Sequence, residues 1–353
     1  MARLTISSIS RFVEGFQGQR FSVGLDVHKR SFSVALLRPD GMVESWTTPA
    51  DVKAITNRLT SLPIYISAVC YEAGPTGFGL ARSLRSAGIK VIVAAPSRIP
   101  RPVAATNKTD SLDCIKLAEL AASGLVRSIA VPSEKEEAFR ALSRRRHQLT
   151  DSIRRAKQRI RSLFLALGVV EPAGIDSWSK SAILALEHQP LPAGAAETRD
   201  SLLAELRYFI IAQKEVDTKL ERLAQGQDEV RRIAAMRSVP GVGKVVATTF
   251  AAEIFNPKRF SHSKEVTAYL GLAPVIRQSG GSKGKATLRP VGQRRLRSLL
   301  VEAAWIWKQK DKWAQEFYNR ILGKHGVPQK AIAALARKLA ALLWRLSLPP
   351  ATA

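Results

Sequence analysis

Nowhere does this sequence string together the 18 or so apolar residues that a helix needs to cross a bilayer, so no membrane-spanning role is expected. Its first twenty residues also lack a continuous apolar core, and no secretory leader is expected. Cysteine is scarce. Cys70 and Cys114 cannot build a disulfide framework and suit a reducing cytoplasm. Scarcest of all is negative charge toward the end: residues 231–353 hold 5 acidic side chains against 23 basic ones. Residues 1–130 hold 9 and 16, and residues 131–230 hold 15 and 16. Over 353 residues the net charge is +26. Such an excess calls for a polyanion, and with a membrane surface disfavoured the partner is nucleic acid, bound with salt-dependent affinity. The last third should meet it most extensively, with the balanced middle third as a helical spacer.

What negative charge there is falls at telling positions. The apolar strand that starts at Phe21 runs into Asp26, and a second apolar run, Ile64 to Tyr71, runs into Glu72. A third segment, Lys108-Thr-Asp110-Ser-Leu-Asp113, places two acids three residues apart at a helix start, hence on one helix face. Four carboxylates from three elements form a plausible cage for hard divalent cations such as Mg²⁺ or Mn²⁺, and a pair of such ions can clamp both oxygens of a phosphodiester displacement. Taken singly, each acid also fits a helix cap or a solvated strand rim.

The chain divides into an N-terminal extension (1–20), an α/β domain (21–130), a helical coiled-coil region (131–230) and a mainly α C-terminal domain (231–353). In the α/β domain the expected strands are Phe21–Leu25, Ser31–Leu37, Met42–Thr47, Ile64–Tyr71 and Lys90–Ala95, with helices at Asp51–Leu59 and Phe78–Ala87. Three meandering strands followed by alternating helix and strand argue a sheet with helices on its faces. This is also the element order of the ribonuclease H-like fold, whose active sites are acid clusters.

From Glu134 to Leu167 a heptad seam reads Leu142, Leu149, Ile153, Ala156, Ile160, Leu163 and Leu167. After a Pro/Ala/Gly-rich linker a second set follows, Leu206, Phe209, Gln213, Val216, Leu220 and Leu223, with Gln213 as a candidate register-setting polar residue. Two such helices can pair within the chain or between chains. The first is also basic: Arg140, Arg144, Arg145, Arg146, Arg154, Arg155, Lys157, Arg159 and Arg161 face Asp151 alone over that span. Charge runs on helices are often solvated faces. Here the imbalance leans toward phosphate contact, with Arg144, Arg145, Arg155 and Arg159 as candidates.

In the last third, Val239-Pro-Gly241-Val-Gly243-Lys244 sits between two helical patterns and resembles a helix-hairpin-helix, in which glycines let backbone N–H groups reach a phosphate. A plain helix–helix turn is the alternative. A Ser/Gly/Lys loop follows, carrying Arg277, Ser279, Ser282, Lys283 and Lys285. A serine among cations could attack a phosphodiester, although Ser and Gly together usually mean a mobile loop. After it, Arg294, Arg295 and Arg297 open a helix at its positive dipole end, where arginines sit poorly unless an anion compensates. Trp305, Trp307 and Trp313 read as core or interface rather than as base-stacking platforms, and Ala331–Leu346 as a closing amphipathic helix.

With these motifs on the page the chain resembles the DEDD transposases of bacterial insertion sequences, the "one-ten" family that includes related site-specific DNA invertases. The likeness runs from about Phe21 to Leu346. It rests on Gly24-Leu-Asp26-Val-His-Lys, Glu72-Ala-Gly-Pro-Thr-Gly77 and Lys108-Thr-Asp110-Ser-Leu-Asp113 in a resolvase-like domain, then on Pro240-Gly-Val-Gly243, Leu270-Gly-Leu-Ala-Pro274 and Gln278-Ser279-Gly280. The resemblance implies that Asp26, Glu72, Asp110 and Asp113 bind metal and that Ser279 is the nucleophile, becoming covalently linked to DNA before the strand is rejoined. It further implies dimers or tetramers with composite sites, the acids from one subunit and the serine from another. Element ends and target DNA are then partners, some members use a structured noncoding guide RNA, and the setting is the bacterial cytoplasm with its nucleoid. Cys114 stands where the family often has alanine, and Ser282 lies close enough to Ser279 to compete for its role. Two other readings stay open: a junction-cutting nuclease or invertase without a covalent intermediate, and a nucleic-acid-binding scaffold that has lost catalysis.

Overall fold

Alternation along the strands explains how the first part of the chain folds. In a strand, successive side chains face opposite sides. Along β1 (Arg20–Val27), Phe21, Val23 and Leu25 are fully buried on one side, while Gly24 and Asp26 face the other. β2 (Ser31–Leu37), β3 (Val43–Pro49), β4 (Tyr65–Glu72) and β5 (Val91–Ala94) complete a five-stranded sheet in the order β3-β2-β1-β4-β5. β1 pairs antiparallel with β2, and β2 with β3, whereas β1, β4 and β5 run parallel.

The computed structural model describes residues 6–99, 110–276, 286–288 and 292–349. They form two compact units, residues up to 133 and residues from 134 on. In the first unit the bulky sheet face is covered by α1 (Ile6–Val13), α2 (Val52–Thr60) and α3 (Gly79–Ser86), through Ile9, Val13, Ile55, Leu59, Leu80 and Leu84. α2 begins where Asp51 caps it, its carboxylate accepting from the amides of Lys53 at 2.8 Å and Ala54 at 3.0 Å.

The opposite face is built from small residues. Gly24, Ala35, Ala68 and Cys70 lie against α4 (Asp110–Ser123), which presents Cys114, Leu117, Ala118 and Ala121. The approach is so close that a β-carbon built on Gly24 would stand 1.9 Å from the carbonyl oxygen of Cys114 and 2.4 Å from the amide nitrogen of Ala118. No side chain fits there, because both obstacles are main-chain atoms. Gly24→Ala is therefore expected to cost about 1–3 kcal/mol or more as overpacking, read as a lowered urea midpoint. A loss below about 0.5 kcal/mol, the range of ordinary surface changes, would refute this packing.

The second unit is mainly helical: α5 (Glu134–Ala166), α6 (Lys180–His188), α7 (Ala195–Leu223), α8 (Gln227–Arg237), α9 (Lys244–Ile254), α10 (Ser263–Tyr269), α11 (Arg294–Lys310), α12 (Lys312–His325) and α13 (Pro328–Ser347). A short ribbon, β6 (Pro274–Ile276) against β7 (Ala286–Leu288), is antiparallel. The two helices with heptad patterns pair within the chain. Arg159 meets Glu205, Thr150 meets Gln213 and Arg146 meets Asp217, so position rises on α7 as it falls on α5, and the helices are antiparallel. Gln213, expected as a register-setting residue, donates to Thr150 at 2.7 Å across this pairing.

The seam differs from the strict heptad at its end. Leu149, Ala156 and Ile160 are fully buried as expected, but the next fully buried residue is Phe164, with Leu163 and Leu167 only half-buried. A straight helix of 3.6 residues per turn drifts away from a 3.5-residue repeat, and the four-residue step to Phe164 follows that drift. The core of this unit then gathers α8, α9, α11 and α13 around Met236, Phe250, Leu296, Leu300, Leu335 and Leu339.

Candidate active site and nucleic-acid interface

Register brings two of the expected acids together. Leu25 pairs with Tyr71 on adjacent parallel strands, so Asp26 and Glu72 follow side by side at the ends of β1 and β4. Alternation puts both on the small-residue face, the face that α4 covers. α4 begins at Asp110, and Asp113 lies one turn in, immediately before Cys114. The Cys114 thiol lies beside these acids: its pKa is pushed up to about 11, by burial first and then by the negative charges of Asp26 and, less, Asp113. Asp26 is partly exposed, and its Oδ2 lies 3.0 Å from Nε2 of His28, a contact that the strand-end reading had not assigned. Glu72 is exposed.

The side chain of Asp110 lies outside the described residues, as does Lys108. Among the described residues, no three His, Cys, Asp or Glu side chains close into a metal-sized group. The chemistry of the donor set still fits a hard divalent cation, since Asp26 and Glu72 share the sheet face that α4 covers, Asp113 lies on that helix, and all three are carboxylates.

The basic candidates fall in the second unit, and the structure separates those already engaged within the chain. Arg144 forks onto Glu253 of α9, with Nε 2.9 Å from Oε1 and Nη2 3.0 Å from Oε2, and Glu253 is buried. That pairing holds the Arg144 pKa above its ordinary value, the hydrogen bonds it donates to Glu253 outweighing the effect of burial. Arg146 pairs with Asp217 and Arg159 with Glu205, both on α7. Arg161 pairs with Asp176, and Lys244, at the start of α9, pairs with Glu221. The nine-to-one imbalance counted along α5 is thus partly met by acids distant in sequence, and two of the expected phosphate contacts, Arg144 and Arg159, are engaged within the chain. Arg145 and Arg155 are exposed and have no ion pair among the described residues.

The Pro-Gly-Val-Gly turn joins α8 to α9. Gly241 has φ +85°, and a β-carbon on it would stand 2.5 Å from the carbonyl oxygen of Ala303 on α11, so the turn docks on that helix. Gly243 caps α9 in extended backbone, with open space where a β-carbon would be. The start of α11 is fixed in a similar way: at Gly292, φ +83°, a β-carbon would stand 2.5 Å from the carbonyl oxygen of Tyr269 and 2.7 Å from the amide of Gly271. This ties the Leu-Gly-Leu-Ala-Pro segment to Arg294, Arg295 and Arg297. Arg294 is exposed, and Arg297 donates to the Gly271 carbonyl at 3.3 Å.

The serine loop is closed at its base by pairing of Ile276 with Ala286. Arg277, Ser279, Ser282, Lys283 and Lys285 lie outside the described residues. Of the tryptophans expected in core or interface, Trp307 is buried, whereas Trp313, half-exposed, stacks on Phe317 at 5.4 Å between ring centres. Among the described residues no helix is long and apolar enough to cross a membrane.

Comparison with known proteins assigns the class. A family model of DEDD transposases, described as "Transposase", matches residues 23–167, and the model described as "Transposase IS116/IS110/IS902 family" matches residues 233–319. The protein is a transposase, an enzyme that cuts and rejoins DNA, and this class implies dependence on a divalent metal. Within that class the chain belongs to the IS110 family of DEDD transposases. It is 29% identical to the putative transposase y4qE of Sinorhizobium fredii, over 92% of this chain and 88% of that one. Identity to the transposase for insertion sequence element IS1328 of Yersinia enterocolitica is 25%, over 91% and 95% of the two chains. For the transposase of insertion sequence element IS1533 of Leptospira borgpetersenii it is 27%, over 80% and 84%.

Proposed function

We propose that this transposase mobilises an insertion sequence by serine attack on DNA, with Asp26, Glu72, Asp110 and Asp113 as the acids that hold Mg²⁺ or Mn²⁺. The observation that carries the reading is the side-by-side placement of Asp26 and Glu72 on the sheet face that α4 covers, with Asp113 in its first turns. A ribonuclease H-like fold for the first unit is supported by its strand order and by the three-stranded antiparallel meander that precedes the parallel strands. When bound, the cations would supply Lewis-acid stabilisation of charge on the phosphodiester oxygens.

In this reading the Ser279 hydroxyl loses its proton and its oxygen bonds to the phosphorus as the bond from phosphorus to one sugar oxygen breaks. That sugar oxygen leaves with a proton. A hydroxyl of a second strand then attacks the phosphoserine, rejoining DNA and restoring the serine. Arg277, Lys283 and Lys285 would neutralise the phosphate under attack. The α8–α9 turn would act as a helix-hairpin-helix, with Gly241 and Gly243 giving a strand access to backbone amides and Lys244 beside them. Arg145, Arg155 and Arg294 supply further phosphate contacts. A homodimer or homotetramer completes composite sites, a structured noncoding RNA is the candidate guide, and the working location is the nucleoid of a bacterial cytoplasm.

The test combines purified protein, Mg²⁺, DNA carrying an element junction and any transcript of its flank, resolved on a denaturing gel. Cut DNA together with DNA retained on protein, both abolished by EDTA, is the expected result. Metal-dependent cutting with no retained DNA would replace serine attack by direct hydrolysis, as in a junction nuclease. No cutting under any condition would leave a binding scaffold.

A further inference from the structure

α5, α9 and α11 enclose a cavity of about 60 Å³ whose charged lining residues are three arginines and one glutamate, set among apolar and hydroxyl side chains. Arg144, Arg146 and His147 enter it from α5, Arg295 enters it from the first turn of α11, and Glu253 of α9 is its sole carboxylate. That carboxylate is fully committed, because Arg144 occupies both of its oxygens. Arg146 finds its acid, Asp217, on α7 and not in the cavity lining. Among the described residues Arg295 has no acid partner, and its Nη1 is buried without a hydrogen bond. A desolvated guanidinium N–H without an acceptor is costly, and here it sits at the positive end of a helix whose first turn contains no acid. Both features are relieved at once by an anion in the cavity. The space admits a handful of water-sized atoms, the scale of a tetrahedral oxyanion. Of its lining residues, Arg144 and His147 have side chains each 35% exposed.

We infer that this cavity seats a single backbone phosphate of bound DNA, with Arg295 as the group that grips it and Arg146 and His147 beside it. The Arg144–Glu253 pair acts as a frame, fixing the wall of the seat. The inference rests on the reading of the chain as a DNA-binding transposase, and it adds a phosphate contact made by residues other than the acids and the loop serine. It also gives α11 a role, since anchoring DNA at the start of this helix fixes the strand beside Gly292, the end of the segment that carries the serine.

Two measurements on the full-length protein test it. In the first, thermal unfolding is followed in inorganic phosphate and in chloride at matched ionic strength. Phosphate is expected to raise the Tm of the wild type and of Lys310→Gln, whose cation lies at the far end of α11, but not that of Arg295→Gln. In the second, fluorescence anisotropy follows binding of element-end duplex DNA over a range of salt. Arg295→Gln is expected to weaken binding and to reduce the slope of log affinity against log salt by about one. Should Arg295→Gln fail to fold by circular dichroism, Arg295→Lys replaces it, keeping the charge but losing the planar fork, and a reduced phosphate shift is expected. A wild type that phosphate does not stabilise, or an Arg295 variant with a wild-type phosphate shift or an unchanged salt slope, would overturn the seat. A wild type that binds phosphate but no DNA would instead overturn the transposase reading beneath it.

Discussion

Asp26→Asn is expected to lower strand cleavage about a thousandfold or more while leaving DNA affinity close to that of the wild type. The change keeps the size of the side chain and removes only charge and ligand strength. Metal-assisted charge stabilisation contributes several kcal/mol to phosphodiester displacement, and each 1.4 kcal/mol is a factor of about ten in rate. Folding should survive, because Asp26 is partly exposed at the end of β1 and is not one of the buried residues holding the sheet together. Binding should survive too, since deleting a negative charge from a protein of net charge +26 does not weaken its attraction to DNA. Cleavage kinetics beside anisotropy on the same preparation separate the two effects. Cleavage within tenfold of the wild type would remove Asp26 from the metal-binding set, and with it the central member of the site.

Ser279→Ala is expected to abolish DNA retained on protein under denaturing conditions, and strand joining with it. Alanine lacks the oxygen that would bond to phosphorus, so no graded loss is anticipated, in contrast to a residue that only positions the phosphate. The comparison that gives the result its meaning is Ser282→Ala, three positions along the same loop. If Ser279 is the nucleophile, Ser282→Ala keeps the retained DNA at a level set by its effect on the loop. Retention lost in Ser282→Ala and kept in Ser279→Ala would exchange the two assignments. Cleavage persisting in both variants without retained DNA would mean that water is the attacking group and the loop serine a phosphate contact.

Much of the first unit is legible in the sequence because its signals are local. β2 falls on Ser31–Leu37, and Asp51 caps the helix that begins after it. The small-residue face is legible too, once the alternation of Gly24, Asp26 and of Ala68, Cys70, Glu72 is read as two strands sharing one close-packed side. What sequence does not disclose is that α4 is the element covering that side, since the contact of Gly24 with Cys114 and Ala118 is a backbone approach. Long-range pairing hides the rest. The partners of the α5 arginines stand 46, 71 and 109 residues away, at Glu205, Asp217 and Glu253, so a count along the helix overstates its free charge. For the same reason Arg144 and Arg295 read as separate phosphate contacts, although one cavity brings them together. The sequence does not separate α6 and α10, which are short and lie among loops, or α12, which follows α11 after the single residue Asp311.

The close seating of α4 on a glycine-and-alanine face bears on how the acids can move. A helix held by interlocking long side chains can slide by swapping rotamers. One whose main chain rests on a strand has no such reserve, since even a β-carbon at Gly24 has no room. Asp113 therefore travels with the backbone of β1, and parting it from Asp26 would require lifting the helix bodily off the sheet. Any rearrangement that accompanies strand exchange should then carry this group of acids as one rigid piece and take up its motion elsewhere in the chain.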